Sequence, residues 1–256
     1  MKQVFLTVLK KEWIVTKRYP VNFISGLISI YIIFLAIFLG FRYLGSNNPN
    51  YGQSVESLIV GFFLWTYSMA AYARLSWGVT EEANTGTLEQ LYMSPIGFNW
   101  ISVFIVISDF IISSLMEIPV LILMMLTTGR WLHIDVLSLL LLFIPTIGAV
   151  YGIGFIVGGI SLVYKRIRSF YQILQFLFIF LLMIPVDKFP LAKLLPLSLG
   201  TYLVHENMTK GISIFHMSLL DLIILYANFL FYFLLGMWIF SRFEYQARKK
   251  GVLGHY

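Results

Sequence analysis

The sequence predicts an all-α integral membrane protein, with six transmembrane helices, an N-terminal interfacial helix, a short cytoplasmic helix between spans two and three, and short or re-entrant outer helices before span six. Three observations carry this prediction. Of 256 residues, 59% are hydrophobic, 17% aromatic and only 12% charged, about half the charge of a soluble chain. The apolar residues form uninterrupted blocks of about 20, each able to cross a hydrocarbon core about 30 Å thick. The basic residues lie beside those blocks, where juxtamembrane anchors belong.

Taken in order, residues 1–20 form an amphipathic segment whose Phe5, Leu9 and Trp13 repeat at four-residue spacing, with Leu6 beside them and Lys11 and Arg18 facing away. Val4 and Val15 fall on the charged side, an imperfection in a helix expected to lie in the inner interface. Spans are predicted at 21–41, 58–77, 101–126, 136–163, 170–186 and 219–240. Together with 1–20 they make one transmembrane domain over residues 1–256. The first span follows charged residues and outruns the apolar core of a signal peptide, so it is read as a retained helix. Residues 187–217 are too long for a turn and too interrupted by Pro190, Pro196, Gly200 and Gly211 for a span. They are read as short helices dipping into the outer leaflet, where irregular backbone must be covered by protein or line a wet cavity.

Orientation follows from the connections. Lys2, Lys10, Lys11, Lys17, Arg18, Lys165, Arg166, Arg168, Arg242, Arg248, Lys249 and Lys250, with Arg74 at the margin, fall on one side. Arg42, Arg130, Lys188, Lys193 and Lys210 fall on the other. The positive-inside rule places both termini in the cytoplasm of a multi-pass protein of the inner or plasma membrane. One cytoplasmic connection disobeys: residues 79–100 hold Glu81, Glu82 and Glu89 and no Lys or Arg.

That connection carries the most informative motif. Thr87 and Gln90 have capping-box spacing directly after Gly86, and Pro95 ends the helix they would begin. Leu88, Leu91 and Tyr92 fall on one side of that short helix and Glu89 on another, an apolar knob that cannot stand alone in water. Its partner is the membrane surface, the inner ends of the spans, or another protein.

Glu82, the run Gly86 to Leu91, and Pro95 resemble the E-x-x-x-G-T-L-E-x-L-x-x-x-P stretch of the ABC-2 family of ATP-binding-cassette exporter permeases. The Pro196 to Val204 run is similar to the family's P-L-T-Y-L-V segment, and the six-span layout with short outer loops matches the family over nearly the whole chain. Family members often carry a basic residue near the acidic one before the Gly-Thr, where this chain has Glu81, Glu82, Ala83 and Asn84. The resemblance implies a permease subunit working as a homodimer, or with a homologous permease, through spans one and five. It implies two copies of a separate ABC ATPase that carry the ATP and magnesium. The coupling residues would be Glu82, Gly86, Thr87, Leu88, Glu89, Leu91, Tyr92 and Pro95. The cargo expected from the drug-resistance branch is an amphiphilic drug, antibiotic or antimicrobial peptide; a polysaccharide or teichoic-acid precursor is the alternative.

The residues themselves add limits. No G-x-x-x-x-G-K-[ST] loop occurs, so the chain itself is expected to be no ATPase, to hold no cofactor and to depend on a companion. It has no cysteine and only four scattered histidines, with no metal-ligand spacing. Nucleic acid is not an expected partner; membrane lipid is. Asp109 and Glu117 lie within span three, where an ionised group costs about 2.5 to 3.5 kcal/mol on insertion scales, and are candidate pathway residues. Eight residues apart, they differ by about 80° around the helix and do not share a face. They also sustain a reading from another class, an ion-gradient-driven secondary transporter, although the two halves show no inverted repeat. Gly148, Gly152, Gly154 and Gly158 in span four are expected to permit close helix contact within the protomer.

Overall fold

The computed structural model describes residues 1–45, 51–84, 87, 90–91, 93–164 and 168–249. Among these the ordered elements are all helical: α1 (Lys2–Arg18), α2 (Pro20–Gly45), α3 (Tyr51–Asn84), α4 (Phe98–Thr128), α5 (Val136–Val163), α6 (Arg168–Met183), α7 (Ser198–Lys210) and α8 (Leu219–Lys249), with 3-10 turns at Pro190–Leu194 and Ile214–His216.

Among the described residues five segments are long and apolar enough to cross a membrane: Pro20–Tyr43, Gly52–Val79, Phe98–Thr128, Val136–Val163 and Leu219–Lys249. They begin and end within a few residues of the sequence expectation except at α3, which starts seven residues before the predicted Leu58 and ends seven after Trp77, and α8, which runs nine past Phe240. The extra turns are polar and amphipathic, so a search for apolar runs stops short of them. The predicted 170–186 span is the sixth apolar helix, but α6 has only 16 residues and ends at Met183. Pro185 explains the early end, because the residue before a proline is driven from helical conformation.

The centre of the bundle is α5, which lies between α3 and α8. Its glycines permit this, as a Cβ on Gly152 would fall on the backbone carbonyl of Tyr232 and one on Gly154 would meet the Tyr72 carbonyl oxygen at 3.1 Å. The small residues therefore serve contacts within the protomer, as the sequence suggested. Tyr67 and Phe143, with ring centroids 4.8 Å apart, and Phe155 against Phe240, at 5.6 Å, fill the same seams with aromatic volume.

At one end, hereafter the basic end, α1, the loop before α4 and the last turns of α8 come together; Phe98 stacks on Phe240 at 5.6 Å. At the far end α7 is inserted among the spans, with Leu199, Leu203, Val204 and Met208 buried. It begins at Leu197, whose φ of 75° is uncommon outside glycine. The irregular backbone beside it is satisfied from α8: Asn228 Nδ2 donates to the Lys193 carbonyl at 2.6 Å and the Tyr232 hydroxyl to the Leu194 carbonyl at 3.1 Å. The Ser198 hydroxyl donates to the Leu181 carbonyl at 2.9 Å, meeting one orphan acceptor at the end of α6. Of this irregular segment Ala192 and Leu197 are buried, whereas Phe189, Leu191 and Leu194 are exposed.

Candidate functional site

Polar chemistry concentrates at the basic end, around a cavity of about 440 Å³ whose walls include Lys11, Glu12, Arg74, Glu82, Thr87 and Leu91. Four helices meet there. Arg74 rises from the last turns of the α3 span and holds two carboxylates: Glu12 of α1, in direct ion-pair contact, and Asp109 of α4, whose Oδ1 lies 3.2 Å from the Arg74 Nε. The Tyr151 hydroxyl of α5 donates to the other Asp109 oxygen at 2.7 Å. Two carboxylates, one guanidinium and one phenol thereby join α1, α3, α4 and α5.

The motif loop is tied to the same cluster. Lys11 pairs with Glu82, and the Thr87 hydroxyl donates to the same carboxylate. The Thr87 backbone N–H donates to the Glu82 carbonyl at 2.9 Å and the Leu91 N–H to the Thr87 carbonyl at 3.2 Å. Burial alone would raise the Glu82 carboxyl, but Lys11 and Thr87 donating to it, with Arg74 beyond, hold it below its ordinary value of 4.5. The lack of basic residues in the 79–100 connection now has a local cause, since α1 supplies the countercharge from another part of the chain.

The structure qualifies the expected apolar knob. Leu91 is half-buried and packs on the core of the protein itself, so this part of the loop folds back on the spans. Gln90 and Met93 face outward, Met93 being 77% exposed, and Pro95 is exposed. Gly86, Leu88, Glu89 and Tyr92 lie outside the described residues. On α1, Phe5 and Leu9 face the protein, with Phe5 set edge-on to Phe104 at 5.8 Å. Trp13, four residues on from Leu9, is 38% exposed and carries the Lys17 ammonium 4.9 Å from its ring centroid. Val4, assigned to the charged side, is half-buried instead. Glu12, half-buried on α1 beside this face, is in direct ion-pair contact with Arg74.

Asp109 and Glu117 reach different places, as their angular offset required. Asp109 belongs to the Arg74 cluster. Glu117, 6% exposed, lies beside the Thr66 hydroxyl at a second cavity of about 240 Å³ between α2, α3 and α4. The residues missed from sequence are Glu12, Arg74 and Tyr151. A lone arginine inside a predicted apolar span was the available signal, because such a charge requires a partner. At the far end Asp221 pairs with Lys193 at 2.6 Å and His205 lies 2.7 Å from the Ser57 hydroxyl, which ties the covering segment to the spans. Among the described residues no group of His, Asp and Glu could hold a metal ion. No protein-family model and no curated protein matches the chain.

Proposed function

We propose that this chain is the permease subunit of an ABC exporter, two copies enclosing a path for an amphiphilic compound and a separate ATPase supplying the energy. One observation carries the reading. The loop with the exporter-like stretch is joined through Glu82 and Lys11 to α1, and α1 is joined through Glu12, Arg74, Asp109 and Tyr151 to three helices of the bundle. A force applied to this loop would therefore be felt by α1, α3, α4 and α5 together. A nucleotide can shift such a bundle only by being bound better in one of its two states, and a companion ATPase gripping the loop and α1 would provide that difference.

In this reading six helices cross the membrane, α6 among them, and the basic end faces the cytoplasm, presenting Met93 and Gln90 to the ATPase. The second copy would sit against the exposed ridges of α2 (Ile24, Ile28, Ile32) and α6 (Ile173, Phe176, Phe180). The mostly apolar, aromatic walls of the α2–α3–α4 cavity, with Glu117 and Thr66 among its few polar groups, favour an amphiphile over a glycan, whose many hydroxyls would each need a partner.

The test is purification of the tagged full chain from its host in mild detergent, with mass spectrometry of what accompanies it. An ATPase with phosphate-loop and signature motifs is expected in the wild type and lost in Met93→Asp, a change at an exposed position that leaves the bundle intact. Leu91→Asp is the weaker probe because it also strikes the protein's own packing. Cargo movement by the isolated chain in lipid vesicles without a companion protein would overturn the proposal.

A further inference from the structure

The cavity between α2, α3 and α4 has a composition that its neighbours lack. Phe62, Trp65, Tyr72 and Trp77 of α3 form one wall, Ile30 and Ile33 of α2 another, and Glu117 of α4 is the acidic group that lines it. Phe62 and Trp77 are fifteen residues apart on one helix, an axial separation of about 22 Å at 1.5 Å per residue. Phe62 and Trp65 lie with ring centroids 5.5 Å apart, tilted, and Phe34 adds a third ring 5.4 Å from Phe62.

Glu117 is buried, and its Oε2 has no hydrogen-bond partner among the described residues; the indole N–H of Trp65 is buried and unpartnered as well. Among the described residues Glu117 enters no ion pair, and Arg74, the basic residue in the apolar part of α3, is held by Glu12 and Asp109. A buried carboxylate is stabilised by a countercharge, and Arg74 is committed to Glu12 and Asp109. Aromatic faces attract a cation most strongly where water is excluded, and aromatic cages are a recurrent means of holding alkylated ammonium groups. Carboxylate and rings together in one slot suit one kind of guest, an organic cation with an apolar tail.

We propose that this slot binds the cationic head of an amphiphile, with Glu117 as its counterion and Trp65 and Phe62 as its aromatic wall, the tail lying along α3 toward Trp77. The assignment of this guest as exported cargo rests on the exporter reading above; the binding itself does not.

The test uses the full chain, with whatever ATPase accompanies it, in nanodiscs of phosphatidylcholine without nucleotide, and radiolabelled dodecyltrimethylammonium as probe. Dodecanol, with the same tail and no charge, is the reference. Saturable binding of the cation by the wild type is expected. Glu117→Gln, nearly isosteric, should weaken it about tenfold or more while dodecanol binding stays unchanged. Trp65→Leu, which keeps the carboxylate, should weaken the cation several-fold. Equal cation affinity in wild type and Glu117→Gln, or no saturable binding by the wild type, overturns the inference. Equal loss of dodecanol in Glu117→Gln also overturns it, because the charge would then be irrelevant. An ATPase that co-purifies while the cation fails to bind leaves the exporter reading standing alone. Cation binding with no ATPase in the preparation supports the slot and counts against the exporter.

Discussion

Removing Arg74 is the perturbation that bears most directly on how the basic end is built. Its side chain is 22% exposed and the two carboxylates that it holds are each 16% exposed. Arg74→Met leaves both acids without their shared countercharge. Breaking a buried ion pair by removing one partner costs about 3 to 5 kcal/mol, chiefly because a charge is left uncompensated, and partial exposure here favours the lower figure of about 3 kcal/mol. The intact network is worth much less than that, since three desolvation costs stand against its attractions. The triple variant Glu12→Gln, Arg74→Met, Asp109→Asn, which leaves no charge behind, should therefore return to within about 1 kcal/mol of the wild type. Unfolding by sodium dodecyl sulfate in mixed micelles, followed by tryptophan fluorescence, measures all three proteins on one scale. A cost below about 1 kcal/mol for Arg74→Met, or a triple variant no more stable than the single one, would refute the claim that Arg74 serves as the common counterion.

Gly152→Ala should destabilise the bundle by about 1 to 3 kcal/mol or more, because its Cβ would strike the Tyr232 carbonyl, a backbone atom with no rotamer to escape into; Gly26→Ala on α2, with nothing within 4 Å of the added carbon, should not. The same denaturant titration checks both, and equal effects would contradict the packing described for α5. Tyr151→Phe removes the donor to Asp109 and should cost about 1 to 2 kcal/mol, less in an Asp109→Asn background, as a double-mutant cycle would record. The Lys11–Glu82 tie should depend on pH in a defined direction. The folded Glu82 value is lowered, so the stability contributed is fully present above the unfolded value, near 4.5, and is lost as pH falls through the lower folded one. A spin label at exposed Leu6 should stay immobile at neutral pH and loosen on titration below about pH 4. Loosening on a rise from pH 5 to 7 would contradict the sign.

Much of the fold could be read from single residues and their spacing. A continuous apolar run has few fates other than a span, so most helices were legible to within a few residues, and Gly152 and Gly154 announced close backbone approach because only a missing Cβ allows it. The helix ends were less legible, since α3 and α8 continue in amphipathic turns that an apolar search does not count. The interruptions at Pro190 and Pro196 marked the covering segment, but not that Asn228 and Tyr232 of α8 would satisfy its carbonyls.

The polar site divides along the same line. The sequence alone determined that Asp109 and Glu117 point apart, that the connection after α3 is acidic, and that a short capped turn interrupts it before Pro95. Those are consequences of helical angle, charge count and local spacing, all of which are properties of neighbours along the chain. Only the tertiary structure decided that Glu12 and Arg74 meet, that Lys11 answers Glu82 across seventy-one positions, and that Leu91 turns inward while Met93 faces out. Ion pairing between distant segments leaves no period in the sequence, because a charge is compensated by whatever folding brings beside it.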